Sequence, residues 1–409
     1  MIIHKARNSY LTLNSLYWLI SSLTFPVLTI HLLGLGINYI DLGLIVSFST
    51  LAYLALDIPV GFVGDVFKKK YVFIIGMVFH ASGYFLWAIA KDLQTIVSGY
   101  ILWNIGRSFF SGILESWYVN SIENDNERAS IINKTFNIAS MISSFSIGVG
   151  VLVTSQLLLF QNNDILLFEA NSILKITSVL FLFLSILAYF LMSDNKKYTA
   201  KPLIIGLYSK KEIITSLKSL KFIRFLPLSF SYGFAFGFFE IFWMPIGKSF
   251  GIEDFKISLA YSSAYFLSTL SLIILLKKNF VPKKYNFWIC YLRFAFSASF
   301  IIMSHSYSFP VFLISIIAIY VISFIEYPII QTAMHQSIPD KYRNVMLSIE
   351  SVVKQASGLV SGGIGGWLYQ HYGAKTSLIS IFVIGLLSII IYSIITNIMQ
   401  KSACNGFKK

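Results

Sequence analysis

Two positions put a charge into surroundings that offer it little to pair with. Glu240 stands in Phe238-Phe239-Glu240-Ile241-Phe242-Trp243, an apolar and aromatic run that disfavours the carboxylate and so suits a group that takes up and releases a proton. Arg107 falls about 14 residues into an apolar stretch that begins near residue 94. A guanidinium at that depth in a bilayer costs at least roughly 2.5 kcal/mol unless it faces a cavity or a partner. It therefore reads as a substrate or proton-relay residue, or else as a structural hydrogen-bond hub. Asp57 is a third internal charge, eight residues before Asp65. It is either a proton carrier or part of an Asp-Ile-Pro-x-Gly helix kink.

The remaining charges have blander readings. Glu115 and Glu326, with Arg128 and Arg343, fit ion pairs of a gate near helix ends. Glu350 and Lys354 stand at i and i+4 and are expected to satisfy one another. Arg293 is expected at a lipid interface or between domains, and His80, His305 and His335 as ordinary span or interface residues. No nucleotide loop, catalytic triad or metal-ligand cluster is visible, and two cysteines, Cys290 and Cys404, make neither a disulfide framework nor a metal cage. No cofactor is expected.

The elements that must hold these residues follow from composition. Of 409 residues 56% are hydrophobic and 12% charged, and the mean hydropathy is +0.72. A soluble domain has about a quarter of its residues charged, so the chain reads as an all-α integral membrane protein. Apolar runs long enough to span a bilayer lie near 9–33, 40–62, 71–90, 94–117, 130–156 and 166–192. A second six lie near 222–247, 256–276, 285–304, 309–335, 343–369 and 374–399. The first lacks a cleavage site and is expected to be retained as a helix. The expected fold is twelve transmembrane helices in two pseudo-symmetric six-helix bundles, 1–192 and 221–409, joined by a basic linker, 193–220.

The net charge of +14 reports orientation rather than nucleic-acid binding. With twelve spans, 24 Lys and Arg fall on the side of the termini and five on the other. Both termini and the linker are therefore expected to be cytoplasmic, in a multi-pass protein of the cell membrane. The halves also repeat. Arg128, Gly148 and Gly150 recur as Arg343, Gly363 and Gly365, and Gly36 recurs as Gly251, each 215 residues on. Such internal symmetry is that of carriers that rock around a site between the repeats.

One stretch is more specific. Gly61, three residues, Asp65 and then Lys68-Lys69-Lys70 resemble the loop between the second and third helices of the major facilitator superfamily, with Val66 and Lys68 where that pattern has Arg and Gly. The resemblance implies that Gly61, Asp65, Lys69 and Lys70 form a gating motif in which the Asp caps the start of the eleventh helix. Arg107, followed by Gly112, is similar to the buried Arg of the family's fourth helix. The resemblance further implies alternating-access transport of a small-molecule substrate, with the proton as coupling ion, by a monomer in the lipid bilayer. Tyr17, Trp18, Phe25, Phe234, Phe239, Trp243 and Tyr327 are expected to line an aromatic cavity. Efflux of a drug-like compound or metabolite is the expected direction. Proton-coupled uptake is the alternative, since the fifth span lacks the Gly-Pro step of the family's antiporters. A membrane sensor or enzyme would need features that the sequence does not display.

Overall fold

A computed structural model describes residues 2–110, 112–122, 128–162, 169–192, 220–278, 284–337 and 343–406, and among these every regular element is an α-helix. In chain order they are α1 (Ile2–Ser22), α2 (Phe25–Gly34), α3 (Tyr39–Val66), α4 (Lys69–Ile89), α5 (Leu93–Phe110), α6 (Ile113–Ser121) and α7 (Arg128–Asn162). There follow α8 (Ala170–Leu191), α9 (Leu220–Ile223), α10 (Leu226–Ser249), α11 (Asp254–Lys278), α12 (Tyr285–Ser304), α13 (Phe309–Ser337) and α14 (Arg343–Gly406). Ten helical stretches are long and apolar enough to cross a membrane. The linker expected at 193–220 lies, up to residue 219, outside the described residues.

What makes these helices membrane helices is the character of their outer faces. Along α8, Ile173, Leu174, Phe181 and Leu184 are buried, while Val179, Phe183, Ile186 and Phe190 on the opposite face are exposed, Phe190 at 74%. Both stripes are apolar. In water the outer one would be polar, and here only a hydrocarbon solvent accounts for it.

Several spans are interrupted where the sequence supplies a reason. The first breaks at Leu23-Thr24, before Pro26 at the start of α2, where a missing N–H does no harm. The fourth breaks at Gly112, whose φ of 71° is left-handed and favours a residue with no Cβ. The last two expected spans run together as α14, bent at Gly373 with φ 72°. The helix carrying Gly61 and Asp65 runs to Val66, so Asp65 lies in the last turn of α3 rather than in a loop. At the start of α5, Asp92 accepts from the backbone N–H of Thr95 at 2.7 Å, and this bond holds its carboxyl below the usual range.

The two halves meet along α3 with α14 and along α7 with α11. Small residues permit the first approach: a Cβ on Gly43 would stand 2.0 Å from the Gly362 carbonyl, and one on Gly366 would meet the Tyr39 carbonyl at 2.5 Å. Ser47 then donates to the Leu359 carbonyl at 2.6 Å, and the Ile40 N–H to Gln370 Oε1 at 3.2 Å. On the other seam Ser155 donates to the Phe255 carbonyl and Ser262 to that of Gly148, both at 2.8 Å. The first seam thus joins the first part of α3 to the stretch of α14 before Gly373, and the second joins α7, from Gly148 on, to the start of α11. Gly362 and Gly366, one turn apart on α14, pack closely against α3.

Candidate functional site

Glu240 lies about 21 Å along α10, by the helical rise of about 1.5 Å per residue, well inside the membrane. Its helix is otherwise closely packed, with Phe238, Phe239, Ile241, Phe242 and Trp243 all buried, yet Glu240 itself is exposed. Its side chain is therefore accessible rather than sealed in a dry core. Tyr261 of α11 donates to Oε2 at 2.7 Å and Tyr320 of α13 to Oε1 at 2.5 Å. Trp243 stacks on Tyr261 at 4.1 Å, and the Tyr265 ring lies 4.9 Å from that of Tyr320. A carboxylate can accept both phenolic bonds at once. A protonated carboxyl is a weaker acceptor with a donor of its own, so a proton here weakens the bonds that tie α10 to α11 and α13.

Arg107 sits near the end of α5 and is also exposed. Its guanidinium covers the ring of Tyr53 at 4.7 Å and that of Trp103 at 5.8 Å. Neighbouring rings build the wall around it: Tyr17 stacks on Phe110 at 3.5 Å and its hydroxyl lies 3.1 Å from His80 Nε2. No ion pair joins Arg107 to Glu240 or to any other acid among the described residues. His80, expected as an ordinary span residue, is buried inside this wall.

A polar pocket lies in the second half between α10, α12, α13 and α14, lined among others by Tyr232, Arg293, Glu326, Tyr327, Glu350 and Lys354. Here three expectations fail. Arg293 is not at a lipid interface: it is 1% exposed and donates from Nε to Glu326 Oε1 at 2.7 Å and from Nη1 to Ser231 at 3.0 Å. Glu326 is 0% exposed, so the partner placed beside it is Arg293 rather than a gate residue at a helix end. Nor do Glu350 and Lys354 pair. Glu350 accepts from Ser229 at 2.7 Å, and the Lys354 ammonium lies over the Tyr327 ring at 5.0 Å. The residues that local spacing missed, Tyr261, Tyr320 and Ser229, are ordinary in their own windows and gain meaning only through the fold.

The gating stretch is described in part. Asp57, Gly61 and Asp65 are placed on α3, with their side chains outside the described residues. Lys69 is buried, and the Lys70 ammonium stands 3.7 Å from the ring centre of Tyr189. Glu115 is exposed in the first turn of α6 with no ion pair among the described residues. Arg128 and Arg343 open α7 and α14, and their side chains too lie outside the described residues.

Helices with lipid-facing apolar surfaces, two halves that repeat, a seam of small residues and charges held among the spans define a membrane carrier. The model of the Major Facilitator Superfamily matches residues 11–362, and the chain belongs to that family. It is a membrane transporter. It is 18% identical over 379 residues, 92% of each chain, to the uncharacterized MFS-type transporter YxaM of Bacillus subtilis (strain 168). Among solved structures it is similar to a variant of the nucleoside transporter NupG, with a TM-score of 0.76 at 14% identity over 95% of this chain and 99% of that one. It is also similar to a POT family transporter in complex with a thioalcohol-conjugated peptide, with a TM-score of 0.71 at 14% identity over 98% and 99%. At such identity the likeness is one of fold.

Proposed function

We propose that the protein is a proton-coupled carrier of a small organic molecule, with twelve transmembrane helices in two bundles, 1–192 and 221–409. Ten apolar stretches become twelve spans when α5 with α6 is counted as one membrane crossing and α14 is divided at Gly373. The observation that carries the reading is Glu240: an accessible acid inside the membrane, held by tyrosines from two neighbouring helices. A proton arriving at this carboxyl removes the charge that strengthens both phenolic bonds and so loosens the contact between α10, α11 and α13. Local chemistry is thereby tied to the packing of helices that must shift in alternating access. The seam of α3 with α14 joins the halves, and Gly61, Asp65, Lys69 and Lys70 serve as the gating motif.

Efflux of a drug-like compound or metabolite is the direction we favour, supported by the aromatic setting of an exposed carboxylate. Uptake is the second reading, because α7 carries Gly148 and Gly150 but lacks the Gly-Pro step of the family's antiporters. Substrate accumulation in cells, with and without a protonophore, separates the two. For coupling, Glu240→Gln should keep substrate binding and lose transport driven by a proton gradient. Normal gradient-driven transport in that variant would remove Glu240 from the mechanism and make Asp57 the next candidate.

A further inference from the structure

Pro245 stands inside α10, four residues after Ile241, and has no N–H to offer the Ile241 carbonyl. An acceptor deprived of its helical donor inside a membrane must be satisfied from elsewhere, by a hydroxyl, a neighbouring helix or water. The donor here comes from the other half of the molecule: the buried Thr29 of α2 donates to the Ile241 carbonyl at 3.3 Å. Thr50, Thr269 and Thr332 bond to carbonyls one turn back in their own helices, whereas Thr29 reaches across to a different one. The hydroxyl bonds of the two seams are of another kind. Ser47 and Ser155 donate to Leu359 and Phe255, which are followed four residues later by Gly363 and Leu259, and these have an N–H to offer as well. Among the described residues the Ile241 carbonyl depends on Thr29.

The contact lies where movement of α10 would be felt. Glu240, on one side of Ile241, is tied to α11 and α13. Phe242, on the other side, stacks on Tyr369 of α14 at 5.3 Å, and Tyr369 meets Tyr39 of α3 at 4.6 Å. One turn of α10 therefore touches both halves, and it is the turn that Pro245 deprives of a backbone bond and makes easiest to bend. When α2 and α10 part, water can take the place of Thr29 at the carbonyl. The bond can therefore open and close without stranding either group.

We propose that Thr29 is a gating residue, whose hydroxyl on the carbonyl freed by Pro245 holds α2 against α10 and so keeps this side of the carrier closed. The proposal rests on alternating access but not on Glu240 as the proton site.

The test is the distance between spin labels at Leu35→Cys and Lys248→Cys, exposed positions at the ends of α2 and α10, measured by double electron–electron resonance. It uses the full chain in detergent with Cys290 and Cys404 replaced by Ser. Thr29→Val, which keeps the shape and removes the donor, should shift the ratio of short to long distances about fivefold toward the long. Thr29→Ser, which keeps the hydroxyl, should leave the ratio unchanged. Pro245→Ala restores an N–H for the carbonyl, and beside it Thr29→Val should move the ratio by less than about twofold. An unchanged ratio in Thr29→Val, an equal shift in Thr29→Ser, or an undiminished effect of Thr29→Val beside Pro245→Ala would each overturn the proposal. Should Pro245→Ala not fold, the comparison of Thr29→Val with Thr29→Ser decides alone. No proton gradient enters the measurement, so failure of the Glu240→Gln prediction would leave this result standing, and the converse also holds.

Discussion

Arg293 carries its charge to a position that is 1% exposed, where Glu326 and Ser231 are its partners. Removing one member of such a pair strands the other, at a cost of about 3–5 kcal/mol, whereas replacing both by apolar groups is often neutral. Arg293→Ala should therefore melt well below the unsubstituted protein in detergent, while Arg293→Met with Glu326→Met should recover most of the loss. An unchanged melting temperature for Arg293→Ala would mean that the pair bears no structural load. The Glu240 site allows a parallel test, since Tyr320→Phe leaves a carboxylate oxygen with one donor fewer. Gradient-driven transport should fall while the fold is kept, and unaltered transport would place the proton step elsewhere. Glu240 was legible because its neighbours are hydrophobic in sequence as well as in space. Its tyrosines lie 21 and 80 residues away and Arg293 lies 33 from Glu326, so no local window could pair them.

Helices were the most legible elements, because a bilayer demands about 20 apolar residues per crossing whatever the side chains later do. Their interruptions were harder to read. Equivalent positions of the two halves carry different helix-weakening chemistry: Gly112 precedes α6 in the first half, and Pro328 sits inside α13, 216 residues later, in the second. A glycine needs a positive φ to reveal its purpose, and only the structure supplies one. The seam of α3 with α14 joins two small-residue steps, Gly362 and Gly366 on α14 and Gly43 and Ser47 on α3, and nothing in either step alone says which helix is its partner. Gly43→Val should force these helices apart, since its first carbon would overlap the Gly362 carbonyl. A cysteine at Ser47, which is buried and bonded across the seam, should then gain reactivity toward a small thiol reagent. Equal labelling rates with and without Gly43→Val would show that the seam tolerates the added bulk.

At the scale of the whole molecule, the repeat offset of 215 residues has a physical expression. Gly36 and Gly251, so related, both adopt positive φ, 89° and 73°, just after α2 and α10. Each half therefore turns its chain by the same device at the equivalent position, as two halves alike in direction would. On the proposed twelve-span reading each half has an even number of crossings, and both termini and the linker fall on one side. The uneven distribution of Lys and Arg would make that side the cytoplasm. After replacement of Cys290 and Cys404 by Ser, a single cysteine at Ser193 should be reached only by permeant maleimide in intact cells. One at Tyr307, which is 77% exposed in the turn between α12 and α13, should react with an impermeant reagent added outside. Reaction of Ser193→Cys from outside would invert the orientation. Reaction of both from one side would break the even count itself, and with it the reading of α14 as two crossings joined at Gly373.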